Sequence, residues 1–396
     1  MYKRILLPVD NSDHSDEALM LASSIAKRFR STVIGFHAYA ATLHERRFTQ
    51  MEPGLPERYQ SPDELERQRA THTTLISEGL QIISDSYLDH AQELCGEREI
   101  PFERQTAEGK NYVEVLREID RDGYDLVAMG ALGLGSAPRS LIGGVSERVL
   151  RRACIDVLLV RRSIPESSGI MAAVDGSPES FKAVEIALGL GKSLEQPVEV
   201  VSAFDPEFHI VAFKSISEVL ADEGAKLFRF DEQQKLHEEI IDRGLETLYQ
   251  GHLDTAARMG EKTGQRVKTT LLEGKPFQRI LDYTEERSPK MLVIGRFGQH
   301  KTDMADIGST SENLARLARC SVVVTSGQLK PDLTDGLQSD VQEPIPWSDE
   351  AEARMQNIPP FAQNMARKAI EDFARTGGHD EVTADVMNRA REQMGM

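Results

Sequence analysis

Short apolar runs and helical stripes alternate along this chain. Residues 3–9 and 169–174 are apolar runs that end in Val-Asp, as strands buried on both faces do. Amphipathic helical stretches follow at 17–29 and 179–194, and second strands at 32–38 and 197–203. In the segment after the first pair of strands, Ile76, Leu80, Ile83, Tyr87, Ala91 and Leu94 recur at spacings of three and four, which predicts one helix face. Leu236, Ile240, Leu245 and Leu248 predict the same in the later segment. Apolar runs at 126–129 and 291–294 lead into glycine clusters, and strands at 157–160 and 322–324 close each series. Strands alternating with helices predict an α/β fold with a parallel sheet covered on both faces.

The pattern occurs twice. A shift of 165 residues superposes Asp10 on Asp175, Ser12 on Ser177, Ser15 on Ser180, Gly130 on Gly295, Gly133 on Gly298, Gly143 on Gly308, and Ser146-Glu147 on Ser311-Glu312. Self-similarity at a fixed period marks a duplication. The expected organisation is one domain over residues 1–163, a second over 169–326, a linker rich in proline and acids over 327–345, and a small all-helical module over 346–396.

The candidate chemistry lies in the glycines. Gly130, Gly133 and Gly143 form Gly-x2-Gly-x9-Gly, and Gly295, Gly298 and Gly308 repeat it. Each cluster starts where an apolar strand ends and finishes where a helix should begin. Ligands of open α/β sheets bind at the carboxyl ends of strands. Glycine there lets the backbone approach a ligand, and a helix N-terminus suits a phosphate. Asp10 and Asp175 end the first strand of each copy, and Ser309 adds a hydroxyl beside Gly308. The competing reading makes the glycines tight turns, and Asp10, Asp175, Ser12 and Ser177 helix caps. Asp303 and Asp306 in the second loop would repel a phosphate unless Mg²⁺ bridged them.

These residues resemble the universal stress protein family, whose ATP-binding members carry Gly-x2-Gly-x9-Gly-Ser/Thr after an early Val-Asp-x-Ser. The second copy has Val174-Asp175-Gly176-Ser177 and Gly295, Gly298, Gly308 and Ser309. The first has Pro8-Val9-Asp10-Asn11-Ser12 and Gly130, Gly133 and Gly143, with Gly144 in the hydroxyl position. The resemblance covers residues 1–326. It implies two Rossmann-like domains of the adenine nucleotide alpha hydrolase type. It implies ATP or AMP as ligand, and Mg²⁺ is an option because of the carboxylates in the second loop. The base would lie near Asp10 and Ala38 or Asp175 and Ala203. The phosphates would lie on the glycine loops and on Arg139, Gly144, Val145 and Ser146, or Ser309, Thr310 and Ser311, with Pro8 at the first strand end.

Residues 346–396 lie outside the repeat. Ser348 should cap a first helix over 350–355, a second helix should span 361–375, and Thr383 should cap a third. Trp347-Ser348, Glu350-Ala351, Ile358-Pro359, Phe361, Arg367 and Val382-Thr383 resemble the C-terminal domain of the light-independent protochlorophyllide reductase B subunit. Gln363 and Met365 stand where that family places basic residues. The module is expected to dock an unidentified protein partner.

Composition narrows the function. A net charge of −17 argues against nucleic acid and anionic membranes as partners. No stretch of eighteen apolar residues occurs, and the apolar run at the start is too short for a signal peptide. Cys95, Cys154 and Cys320 form no disulfide framework or zinc pattern. A cytoplasmic protein is expected, with the two copies paired within one chain and a further homodimer as an option. Its function would be regulatory binding of an adenine nucleotide. The alternatives are a slow ATPase or nucleotidyl-transferring enzyme on the same fold, and a nucleotide-free scaffold. No catalytic residue and no protein-held metal site is expected.

Overall fold

The computed structural model describes residues 1–121, 123–162, 167–206, 242–299, 301, 305–331, 345–355, 367, 370–371, 373–375 and 377–394. The chain forms two compact units, Met1–Pro331 and Asp332–Met396.

In the larger unit the first copy runs β1 (Arg4–Pro8), α1 (Asp13–Phe29), β2 (Thr32–Tyr39), α2 (Ala41–Met51), α3 (Pro62–Glu97), β3 (Phe102–Glu108), α4 (Asn111–Asp120), β4 (Leu126–Gly130), α5 (Gly144–Arg152) and β5 (Asp156–Val160). The second runs β6 (Ile170–Ala173), α6 (Pro178–Leu194), β7 (Val198–Phe204), α7 (Asp242–Lys262), β8 (Val267–Glu273), α8 (Pro276–Arg287), β9 (Met291–Gly295), α9 (Ser309–Leu317) and β10 (Ser321–Thr325). All ten strands form one sheet in the order β3-β2-β1-β4-β5-β10-β9-β6-β7-β8. Pairing is parallel within each copy, and the copies join through the antiparallel pair β5 and β10. In each copy strand order reverses beside the first strand, where β1 lies between β2 and β4 and β6 lies between β7 and β9. An open α/β sheet has its ligand crevice at such a reversal.

Alternation across the strands splits the core into two layers, each continuous through both copies. Ile5, Leu7, Val200 and Val293 pack with α1, α3, α6 and α7 on one face. Leu6, Phe36, Val201, Leu292 and Val322 pack with α4, α5, α8 and α9 on the other. Each such side chain contributes roughly 2 kcal/mol on burial. Both first helices start alike. Ser12 and Ser177 accept from the Ser15 and Ser180 N–H groups, so these serines are helix caps.

The structure departs from the expected pattern in two places. First, each copy has a fifth strand, β3 and β8. These edge strands carry polar residues such as Glu103, Arg104 and Lys268, Thr269, so no apolar run announces them. Second, on α3 the expected Ala91 is buried and Tyr87 and Leu94 pack against the core, but Ser84, Leu88 and Cys95 complete the buried face and Ile83 is exposed. On α7, Leu253 and Ala256 are buried and Leu248 is exposed; Leu236 and Ile240 lie outside the described residues. Period counting took an apolar residue one step off the true face. Most of the linker expected at 327–345 and most of the helix expected at 361–375 lie outside the described residues.

The smaller unit has its own core of Ala351, Met355, Ile370, Ala374, Val382, Val386 and Ala390. Helices α10 (Asp349–Met355) and α11 (Ala384–Met394) flank it. Ser348 and Thr383 cap them through the Ala351 and Val386 N–H groups at 3.3 and 3.4 Å. Trp347 donates to Glu371 at 3.0 Å, and the Arg367 guanidinium sits 4.5 Å above its ring. Among the described residues no helix is long and apolar enough to cross a membrane.

Candidate functional site

Each first strand ends in a three-residue turn that sets the site. Asp10 Oδ1 accepts from the Ser12 N–H and hydroxyl at 3.2 and 2.6 Å, and Asp175 Oδ1 accepts from Ser177 at 3.0 and 2.5 Å. The residue between them is left-handed, with φ 56° at Asn11 and 86° at Gly176. Asparagine and glycine are the residues that tolerate this conformation best. The second oxygen of each aspartate reaches across to the glycine loop. Asp10 Oδ2 accepts from the Leu134 N–H at 3.1 Å, and Asp175 Oδ2 from the Gln299 N–H at 3.0 Å.

These ties explain two glycines of each triplet without a ligand. A Cβ on Gly133 or Gly298 would collide with the Asp10 or Asp175 carboxylate. A Cβ on Gly130 or Gly295 would lie 2.8 Å from the backbone carbonyl carbon of His14 or Glu179, inside the first helix of its copy. The third glycine differs. Gly143 and Gly308 have φ −77° and −68°, open to any residue, and precede α5 and α9 as N-caps. Their own N–H groups donate to Ala131 and Arg296 carbonyls at 2.7 and 2.9 Å. The Ser146 and Ser311 hydroxyls donate to the Gly130 and Gly295 carbonyls at 2.8 and 2.7 Å, stitching helix start to strand end. The N–H groups of Gly144, Val145 and Ser146, and of Ser309, Thr310 and Ser311, stand in a first helical turn, where no i−4 carbonyl is available.

A cavity opens over each helix start. The first, about 360 Å³, is lined by Pro8, Asp10, Ala38, Gly130, Gly133, Gly143, Gly144, Val145 and Ser146. The second, about 500 Å³, is lined by Asp175, Ala203, Gly295, Gly298, Gly308, Ser309, Thr310 and Ser311. Every expected site residue lies in one cavity or the other except Arg139. That residue is exposed, with φ 70°, and does not line the first cavity. Arg148 lines it instead, one turn into α5. It donates to the Gly144 carbonyl at 2.8 Å and lies 4.9 Å over the Tyr112 ring.

The second cavity has a cation that sequence reading passed over. Lys301 lies on its wall, with Nζ 4.5 Å above the Phe297 ring and 4.0 Å from Glu179. Its position within a loop, with no helix period, left no signal. Tyr249 from α7 closes the other side near Phe204, and burial raises its phenol above the ordinary range. Asp306 does not line the cavity and is ion-paired to Arg151 of the first copy at 3.2 Å. Asp303 lies outside the described residues. Among the described residues no cluster of three or more His, Cys, Asp or Glu side chains could hold a metal.

The Universal stress protein family model matches residues 1–161 and again 168–326. A universal stress protein of Mycobacterium tuberculosis is 22% identical over 330 residues, covering 82% of this chain and 97% of that protein. One from Methanocaldococcus jannaschii is 28% identical over 162 residues, covering 41% of this chain and 84% of the relative. The crystal structure of a universal stress protein from Archaeoglobus fulgidus superposes with a TM-score of 0.52 at 17% identity, covering 82% of this chain and 98% of that one. It shares the fold. At the C-terminal end, the Proto-chlorophyllide reductase 57 kD subunit model matches residues 347–391. The light-independent protochlorophyllide reductase B subunit of Chlorobium phaeobacteroides is 45% identical there over 51 residues, 13% of this chain and 10% of the reductase chain. The chain thus spans a small fraction of the reductase relatives it matches.

Proposed function

The chain belongs to the universal stress protein family, and from that premise we propose that it is a cytoplasmic regulatory protein of the stress response. Its two copies act as an intramolecular pair, each offering a site for ATP or AMP, and protein partners read the occupied state. The observation that carries this reading is the twinned cavity. In both copies an open first helical turn, the end of the first strand and the end of the second strand meet around one space at the reversal of strand order. Phosphate on the helix start, sugar beside the aspartate and base against Ala38 or Ala203 fit that arrangement. Mg²⁺ would arrive with the nucleotide, since no described carboxylate cluster awaits it.

The cavity carboxylates support binding over turnover. Asp10 and Asp175 are held by serines and loop amides, and Glu312 by Arg151 and by Arg316 at 3.3 Å. None of the three stands free as a general base. The smaller unit serves as a docking module for a protein partner. Its resemblance to a reductase covers residues 347–391, about a tenth of that enzyme's chain. Pull-downs with and without residues 341–396 test this role, and identical partners from both would refute it.

Calorimetric titration of ATP, with and without Mg²⁺, tests the nucleotide reading in wild type, Gly143→Val and Gly308→Val. Both glycines have extended backbone, and a Cβ would find its nearest neighbour at 3.4 and 3.3 Å, so both variants should fold. Each should lose one of two binding events. No binding by wild type, and no nucleotide carried through purification, would leave the scaffold reading in its place.

A further inference from the structure

The helices whose first turns face the cavities end at the junction between the copies. Arg161, immediately after β5, donates Nη1 to the Leu141 carbonyl at 2.8 Å, and Leu141 belongs to the first glycine loop. Its Nη2 donates to the Ala315 and Arg316 carbonyls at 3.0 and 2.8 Å, the last turn of α9. One guanidinium therefore joins the loop of the first cavity to the helix of the second. Arg296 makes the converse link. It sits inside the second glycine loop, between Gly295 and Gly298, and donates Nη1 to the Leu150 and Arg151 carbonyls at 2.7 and 3.3 Å, the last turn of α5.

Ion pairs surround these links. Arg151 pairs with Asp306 and Glu312, and Arg316 pairs with Glu147 at 2.6 Å. A cation at a helix C-terminus satisfies its last carbonyls and complements its dipole. Yet the aligned positions are Ala131 for Arg296 and Ser326 for Arg161. Two unrelated positions supply the same reciprocal connection. Arg296 is only 6% exposed, and its Nε and Nη2 are buried without hydrogen-bond partners among the described residues. Burial disfavours the charge on both arginines. Half-satisfied buried groups cost stability, so hydrogen bonding alone does not account for Arg296.

Resting on the nucleotide reading above, we propose that the two sites are energetically coupled through Arg161 and Arg296. A phosphate that orders one glycine loop fixes the guanidinium bound to that loop. The guanidinium in turn holds the far end of the other copy's phosphate-facing helix. That helix is nine residues long, about 13 Å, short enough to move as one rigid piece. Filling either site then changes affinity at the other by the same factor, expected at roughly fivefold or more.

The test uses the full chain and ATP. Gly144→Glu and Ser309→Glu each place a carboxylate where phosphate should sit, at a helix position that favours acids. They report the second and first site alone. The product of the two wild-type binding constants, compared with the product from these two variants, measures the coupling. A ratio at least fivefold from unity in wild type, falling to within twofold in the Arg161→Met, Arg296→Met chain, is expected. If that chain does not fold, Arg161→Lys takes its place, since one ammonium nitrogen lacks the planar fork by which Arg161 reaches Leu141 with one nitrogen and α9 with the other, and it should also reduce the ratio. A wild-type ratio of unity with both sites binding overturns the coupling alone. So does a ratio that survives the arginine substitutions. Absence of ATP binding in wild type overturns the nucleotide reading and the coupling with it.

Discussion

In the first copy a cavity of about 360 Å³ rests on Gly144-Val145-Ser146, and in the second a cavity of about 500 Å³ rests on Ser309-Thr310-Ser311. The frames around them share their main bonds. Each aspartate ties the same serine and the same loop amide, and each helix-start serine returns to the same glycine carbonyl. What differs is what faces the open space. The first has a bare glycine and an arginine already committed to a carbonyl and a ring. The second has two hydroxyls and Lys301, which lies over the Phe297 ring and 4.0 Å from Glu179. The comparison separates residues that build the loop from residues free to meet a ligand. Gly130, Gly133, Gly295 and Gly298 belong to the first group, and the helix-start residues to the second.

Substitutions can break that division, starting with the largest effect. Gly295→Val should drive a side chain into the α6 backbone and destabilise the larger unit by about 3 kcal/mol, whereas Gly308→Val should cost less than about 1 kcal/mol. Urea unfolding midpoints check both, and equal losses would erase the distinction. Next comes an exchange of the hydroxyl. Ser309→Gly should weaken nucleotide binding at the second site by about 1 kcal/mol, roughly fivefold, and Gly144→Ser should tighten the first by a similar amount. The new Cβ at Gly144 meets only the Arg148 tip at 3.0 Å, which can shift. Lys301→Ala should cost the second site about 0.5 kcal/mol at low salt and nothing measurable at high salt, because the lysine is half exposed. Titrations at two salt concentrations test this.

The smallest effect concerns the ends of the two cavity-facing helices. Cys154, after α5, is exposed, and Cys320, after α9, is buried with its thiol pushed up to about 11 by desolvation; Cys95 is likewise pushed up to about 11. A thiol reagent at pH 8 should therefore modify one cysteine in native protein and the other two only after unfolding. Peptide mapping that found Cys320 labelled first would reverse this contrast.

Much of the site was legible because its signals are local. A glycine triplet at set spacing, a Val-Asp-x-Ser strand end and a 165-residue shift can all be read from adjacent letters. Arg148, Lys301 and Tyr249 were not, because each reaches its cavity from an element whose direction follows from packing. Arg139 is outside the lining of the first cavity for the same reason: loop membership does not say which way a side chain points. Strands β3 and β8 escaped because a sheet edge needs backbone partners more than apolar side chains.

By itself the sequence determined the duplication, the central buried strands, the capped first helices and the residues that meet at each helix start. Those features depend on periodicity and on backbone conformations that only certain residues accept. Tertiary structure alone decided that β5 and β10 pair antiparallel, that Arg161 and Arg296 each cap a helix of the other copy, and that a Cβ on Gly133 or Gly298 would meet an aspartate carboxylate. These contacts join residues about 120 to 165 positions apart. Their geometry follows from how whole layers pack, which no local pattern encodes.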